Sequence, residues 1–250
     1  MTPGEAVMIG QMLGGYRIVE QIGQGGMALV YKAYDAGTDR YVALKVLPAY
    51  YSGDSTFRER FQREAKAIAR LEHPHILTIH AYGEDQGTAY LVMRYMAAGT
   101  LADRIAQGQM SLAEASRYLS QIAGALDTAH EQSILHRDVK PSNVLIDNKG
   151  SAFLTDFGIA RMVEGTQRDL TGSGLIGTPQ YMSPEQCLGG QEITAASDQY
   201  SLGVMAYEMV TGHKPFNAET PIAVINMQVS STLPPPRTLR ADLPEAVERA

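Results

Sequence analysis

The chain contains no tryptophan and a single cysteine, Cys187. One thiol excludes an intramolecular disulfide and any cysteine-based metal site, and it fits a reducing, cytoplasmic setting. Cys187 itself reads as a part-buried small residue. No stretch approaches the roughly 20 consecutive apolar residues that a membrane-spanning helix needs. The N-terminus lacks a basic patch running into an apolar one, so no signal peptide is read, and no membrane contact is expected from this segment. A basic excess is lacking too: 21 Lys and Arg stand against 27 Asp and Glu, a net charge of −6, which argues against a nucleic-acid partner. Blocks of like charge and internal repeats are also missing. What remains is 44% hydrophobic, enough to build the core of one large domain or two modest lobes.

The apolar pattern changes character along the chain. Residues 1–15 show no periodicity and read as a lead-in. Strand-like alternation then covers 16–22, 29–34 and 41–47, with Gly23-Gln24-Gly25-Gly26 between the first two. Phe57, Phe61, Ala65, Ile68 and Leu71 fall on one helical stripe. Two further strands are expected at 76–82 and 89–96, followed by a break at Ala97-Ala98-Gly99 that reads as a hinge. Beyond it helices dominate. Leu112, Ala115, Leu119, Ile122, Leu126 and Ala129 mark one over 112–130, and others are expected at 198–210, 221–229 and from 243 onward. Short strands at 144–146 and 153–155 and a Gly/Thr-rich loop over 162–178 interrupt them. The expected division is 1–15 lead-in, 16–96 small lobe and 97–250 larger helical lobe.

Several segments carry chemistry. A Gly-rich hairpin such as Gly23-x-Gly25-Gly26 lets the backbone approach phosphate oxygens, although such a hairpin is more often just a turn. Lys45, set among Val42-Ala43-Leu44, needs an anionic partner if it faces inward, and Glu64 on the following helix is in a position to supply one. Taken singly, both read as surface residues. The loop His136-Arg137-Asp138-Val139-Lys140-Pro141-Ser142-Asn143 shifts the balance, because a carboxylate, two cations and an amide in one Pro-braced loop are costly to satisfy without a ligand. Asp138 can orient a hydroxyl or accept its proton, Lys140 can neutralise phosphate charge, and Asn143 can offer a carbonyl oxygen to a hard cation. Asp156-Phe157-Gly158 adds a second carboxylate after a strand.

These segments, in this order and with Ser183-Pro184-Glu185 after them, resemble the protein kinase superfamily from Tyr16 onward. Gly25-Gly26-Met27-Ala28 and Tyr181-Met182-Ser183-Pro184-Glu185-Gln186 are similar to the bacterial eukaryotic-type serine/threonine kinases. The resemblance implies an α+β bilobal fold: a small lobe with a five-stranded antiparallel sheet plus one helix, and a larger, mainly helical lobe. It implies ATP and Mg²⁺ (or Mn²⁺) as cofactors and protein substrates with serine or threonine acceptors. ATP would be bound by Ile22, Gly23, Gln24, Gly25, Gly26, Val30, Ala43, Lys45, Met93, Arg94, Met96 and Leu145. Of these, Val30, Ala43 and Leu145 would enclose adenine, the backbone of Arg94 to Met96 would bond to it, and Met93 would guard the back pocket. Lys45 would pair with Glu64, Asn143 and Asp156 would hold the metal, and Asp138 with Lys140 would serve the acceptor hydroxyl. Thr178 resembles the residue that contacts Asp138 and Lys140 from the peptide-binding loop.

Arg137 before the catalytic aspartate implies activation by phosphorylation at Thr171, Ser173 or Thr166, with dimerisation for autophosphorylation and a role in signal transduction. A membrane anchor on the full-length protein is a further implication. Ala28 stands where the glycine motif has its third Gly, Ser183 where Ala is commoner, and Arg94 where an acidic residue is frequent. The segment also ends before the arginine that pairs with the Glu185 equivalent, which leads to the expectation of a longer kinase. A pseudokinase would lack Lys45, Asp138 or Asp156. A small-molecule kinase would lack the segment from Gly177-Thr178 to Glu185.

Overall fold

The computed structural model describes residues 8–25, 28–47, 55–157 and 178–249. These fall into two compact units, one of 8–72 and 77–96, the other of 73–76 and 97–249.

In the first unit six strands form one antiparallel sheet. They are β1 (Met12–Leu13), β2 (Tyr16–Gly25), β3 (Ala28–Asp35), β4 (Arg40–Val46), β5 (Ile79–Asp85) and β6 (Thr88–Arg94), in spatial order β1-β2-β3-β4-β6-β5. The two-residue alternation of a strand divides its side chains between two faces. One face carries Ile18, Tyr31, Ala33, Val42, Leu44, Val46, Tyr90 and Val92, a buried cluster closed by Leu13. Helix α1 (Ser55–Ile68) buries Phe61, Ala65 and Ile68, as its stripe requires. The side chain of Phe57 lies outside the description.

The expected sheet had five strands, and β1 is the addition. A Gly14-Gly15 turn (φ +58° and +89°) folds Leu13 back opposite Tyr16. The Gly14 N–H donates to Asp85 Oδ2 at 2.8 Å, and a Cβ at Gly14 would collide with the Tyr90 hydroxyl, so only glycine fits. Strand β5 begins three residues later than the apolar run at Ile76-Leu77 suggests. The backbone there is engaged elsewhere: Ile76 bridges to Leu154, and the Leu154 N–H donates to the His75 carbonyl at 2.8 Å.

The second unit contains α2 (Leu101–Ala106), α3 (Leu112–Glu131), β7 (Val144–Ile146), β8 (Ala152–Leu154), α4 (Pro184–Leu188), α5 (Ala195–Thr211), α6 (Pro221–Ser230) and α7 (Glu245–Glu248). Helix α3 buries Ala115, Tyr118, Ile122, Ala125, Leu126 and Ala129, and it packs on α5 and β8. Helix α2 was not expected. Thr100 and Asp103 form a reciprocal capping box at its start, which satisfies two of the otherwise orphaned donors of the first turn. Arg104 then holds Glu114 of α3 through two bonds of 2.8 and 2.7 Å. Among the described residues no helix is long and apolar enough to cross a membrane.

Candidate active site

In the first unit, strand register decides what Lys45 faces. Val30 lies opposite Lys45, Gly23 opposite Val30, and Ala43 opposite Met93. Partners across an antiparallel pair share a face, as do residues two apart along a strand. Gly23, Val30, Ala43, Lys45 and Met93 therefore occupy one face of the sheet, the one turned away from the Ile18–Tyr31 cluster. Lys45 is 8% exposed, a degree of burial at which an ammonium requires anionic or polar company. Ile22 sits at a bulge between the Gln21 and Gly23 pairs and is exposed, as is Gln24. Arg94 ends β6 with an exposed side chain, Met96 is half-buried, and Glu64 on α1 engages Arg63 at 3.2 Å. Gly26, Gly158, Gly177 and the candidate phosphosites Thr166, Thr171 and Ser173 lie outside the described residues.

The second unit brings Asp138, Lys140 and Asn143 together. Asp138 Oδ2 receives both Lys140 Nζ at 2.8 Å and Asn143 Nδ2 at 2.9 Å. The same Asn143 nitrogen also donates to the Asp138 carbonyl at 2.8 Å. With both amide hydrogens committed to acceptors, the orientation of the Asn143 amide is fixed and its Oδ1 points to the opposite side. One carboxylate oxygen of Asp138 is thus held by two donors. Asp156 follows directly after Thr155, whose N–H donates to the Asn143 carbonyl at 2.9 Å. Asn143 Oδ1 and the Asp156 carboxylate are the hard oxygen donors that suit a divalent cation. Leu145, half-buried in β7, pairs with Phe153.

The loop is held by residues that the sequence did not single out. Asp198 of α5, 1% exposed, accepts the His136 N–H at 2.8 Å and the Arg137 N–H at 2.7 Å, and bonds His130 Nε2 at 2.8 Å. Gln186 Nε2 donates to the Arg137 carbonyl at 2.8 Å. Arg137 has a left-handed φ of +69°, as does Asp156. A non-glycine residue keeps such a conformation only where its surroundings over-determine it, and here both backbone groups of Arg137 are bound. His136 is fully buried, and burial pushes its pKa below the usual imidazole range against the pull of Asp198. The neutral ring has one assignment that satisfies its neighbours: Nε2–H donates to the Thr155 carbonyl at 2.8 Å, and Nδ1 accepts the Asp138 N–H at 3.3 Å.

Residues 16–246 match the family model for the protein kinase domain. The chain belongs to the protein kinase family. It is 39% identical over 244 residues to the serine/threonine-protein kinase PrkC of Bacillus subtilis, covering 97% of this chain and 37% of that protein. It is 42% identical over 240 residues to the serine/threonine-protein kinase PknA of Mycobacterium tuberculosis, covering 94% and 54% respectively. The chain thus spans about half the length, or less, of these curated relatives. Among solved structures, the PknI kinase domain of M. tuberculosis superposes with a TM-score of 0.73 at 32% identity, covering 95% of this chain and 87% of that one. The family uses ATP and a divalent metal.

In this kinase domain Thr178 leads into the short turn Pro179–Tyr181. Among the described residues no hydrogen bond joins Thr178 to Asp138 or Lys140. The turn itself is held from two helices. Ser201 Oγ donates to the Tyr181 carbonyl at 2.7 Å, and the Tyr181 hydroxyl donates to Glu208 at 2.5 Å. Gln228 Nε2 donates to the Pro179 carbonyl at 3.0 Å and the Gln180 carbonyl at 2.7 Å. Ser183 explains itself structurally: it is the N-cap of α4, in a reciprocal box with Gln186. An alanine there would forgo that cap. Glu185, expected to be left without a partner, is half-buried and accepts from Ser197 Oγ. Its carboxyl stays below the usual range although desolvation works against that, because hydrogen bonds from Ser197 and Ser183 favour the charged form.

Proposed function

We propose that this kinase domain transfers the γ-phosphoryl group of ATP to serine or threonine hydroxyls of protein substrates. The carrying observation is the division of labour on Asp138: Oδ2 is taken by Lys140 and Asn143, which leaves the second oxygen to orient the acceptor hydroxyl and take its proton. Lys140, already beside that carboxylate, would neutralise charge on the phosphoryl group in flight.

Lys45, on the face it shares with Gly23, Val30, Ala43 and Met93, would bind the α- and β-phosphates and pair with Glu64. The backbone from Gly23 to Ala28 would cover the phosphates, and Val30 and Ala43 would lie against adenine. Asn143 Oδ1 and Asp156 would hold Mg²⁺, which supplies charge neutralisation across the phosphates when bound. Most of the rate gain then comes from positioning and electrostatics. Serine/threonine acceptors are favoured by Lys140 and by relatives named for that specificity. Autophosphorylation at Thr171, Ser173 or Thr166, a part in signal transduction and dimerisation belong to the same reading.

The test is transfer of radiolabel from γ-labelled ATP to a generic basic protein, followed by phosphoamino-acid analysis. Label on serine or threonine, reduced at least about 100-fold in Asp138→Asn, is the expected result. Equal labelling by Asp138→Asn, or label confined to tyrosine, would refute it.

A further inference from the structure

One cation in the first unit ties four strands together at one end of the sheet. Lys32 of β3 places Nζ 3.2 Å from Glu20 Oε1 of β2. The same ammonium sits 4.7 Å from the ring centre of Tyr41 on β4 and 5.1 Å from that of Tyr95, just past β6. The Lys32 side chain is 23% exposed, and its ammonium lies over both ring faces within cation–π range. The bond to Glu20 holds the ammonium pKa above its ordinary value, and the charge persists through any ordinary assay range.

Register places this cluster beside the proposed adenine slot. Lys32 lies opposite Ala43, and Ala43 opposite Met93. Tyr41 is two residues before Ala43, and Tyr95 two after Met93. Lys32, Tyr41 and Tyr95 therefore stand on the same face as Val30, Ala43, Lys45 and Met93, at the end where Arg94 to Met96 leave the sheet. Tyr95 is the middle residue of that segment, and its ring is fixed by a cation anchored on three other strands. A strand end released from such a clamp samples more conformations, and ordering it on binding weakens affinity.

We infer that Lys32 is a positioning residue for the nucleotide: by clamping Tyr95 it sets the backbone of Arg94 to Met96 for adenine. This rests on the ATP reading above. The clamp acts on the base and not on the phosphates, a distinction that a general folding role does not make.

The experiment is calorimetric titration of the protein, with Mg²⁺ present, using adenosine, ADP and inorganic tripolyphosphate as separate probes. Lys32→Met keeps the length and apolar stem but removes the charge, and Lys32→Arg keeps the charge. Lys32→Met is expected to weaken adenosine and ADP by about three- to tenfold, with tripolyphosphate unchanged and with kcat at saturating ATP preserved. Lys32→Arg is expected to restore adenosine affinity. Unchanged adenosine binding in Lys32→Met overturns the inference. So does an equal loss for adenosine and tripolyphosphate accompanied by a lower melting temperature, which would mark a fold defect. Failure of the unmutated protein to bind ADP sinks the ATP reading itself, and is distinct from both.

Discussion

Replacing Asp198 tests whether the loop from His136 to Asn143 is held from α5. Its buried carboxylate accepts two backbone N–H groups, those of His136 and Arg137, and bonds His130. Asp198→Ala would leave both backbone donors buried without acceptors, at about 1–3 kcal/mol each. The lost bond to His130 adds to this, for about 3–5 kcal/mol in all. Against a typical stability of about 5–15 kcal/mol, and at roughly 2–4 °C per kcal/mol for a chain of this size, the melting temperature should fall by about 10 °C. Asp198→Asn retains one acceptor oxygen but turns an NH₂ toward the second donor, so its loss should be intermediate. The Arg137 backbone, with its positive φ, presents Asp138, so kcat should fall by at least about tenfold in Asp198→Ala even well below its melting point. Differential scanning fluorimetry and a steady-state transfer assay at 20 °C read both quantities. An Asp198→Ala protein that melts within about 2 °C of wild type and turns over normally would refute the reasoning.

Three further outcomes follow from particular contacts. The Arg240 guanidinium donates to the carbonyls of Met110 at 2.8 Å and Val210 at 3.0 Å; Arg240→Ala should cost about 2–4 kcal/mol in denaturant unfolding, and an unchanged midpoint would contradict this. Gln228→Leu strips the Pro179 and Gln180 carbonyls of their donor and should raise the KM for a peptide acceptor severalfold while leaving the KM for ATP unmoved; equal shifts in both would argue against a local role for the turn. Burial first, and Glu185 second, push the Cys187 thiol up to about 11. A raised thiol pKa keeps the neutral form at pH 8, so alkylation by iodoacetamide should be slow there and accelerate toward pH 11; a rate midpoint near the ordinary thiol value of about 8.5 would contradict it.

The chemistry-bearing residues were legible because their order along the chain is specific, and the sheet was legible because Tyr31, Ala33, Val42, Leu44 and Val46 alternate with period two. Strand β1 escaped because two residues carry no periodicity; its signal was the Gly14-Gly15 pair, which lies inside the stretch read as a lead-in. Helix α2 was marked by Thr100 and Asp103 at capping-box spacing, although six residues are too few to show a stripe. Ile76 misled because burial against β8 looks, in sequence, like burial within a strand. Asp198 could not be ranked as a site residue: its three partners are more than 60 positions away, and nothing local distinguishes a carboxylate that caps a distant loop from one that begins a helix. The one available hint was a charged residue in the first turn of a helix that is otherwise mostly apolar. The hydroxyl of Ser197 donates to Glu185, a contact that a resemblance does not reveal.

The central claim of the proposed function is that Asp138, Asn143 and Asp156 serve one metal–nucleotide complex. A crystal structure with Mg²⁺ and a non-hydrolysable ATP analogue tests it most directly. The proposal predicts the metal on Asn143 Oδ1 and Asp156, and the second oxygen of Asp138 facing the γ-phosphate. A nucleotide bound away from the Gly23–Val30–Ala43 face, or a metal that ignores Asn143 and Asp156, would contradict it.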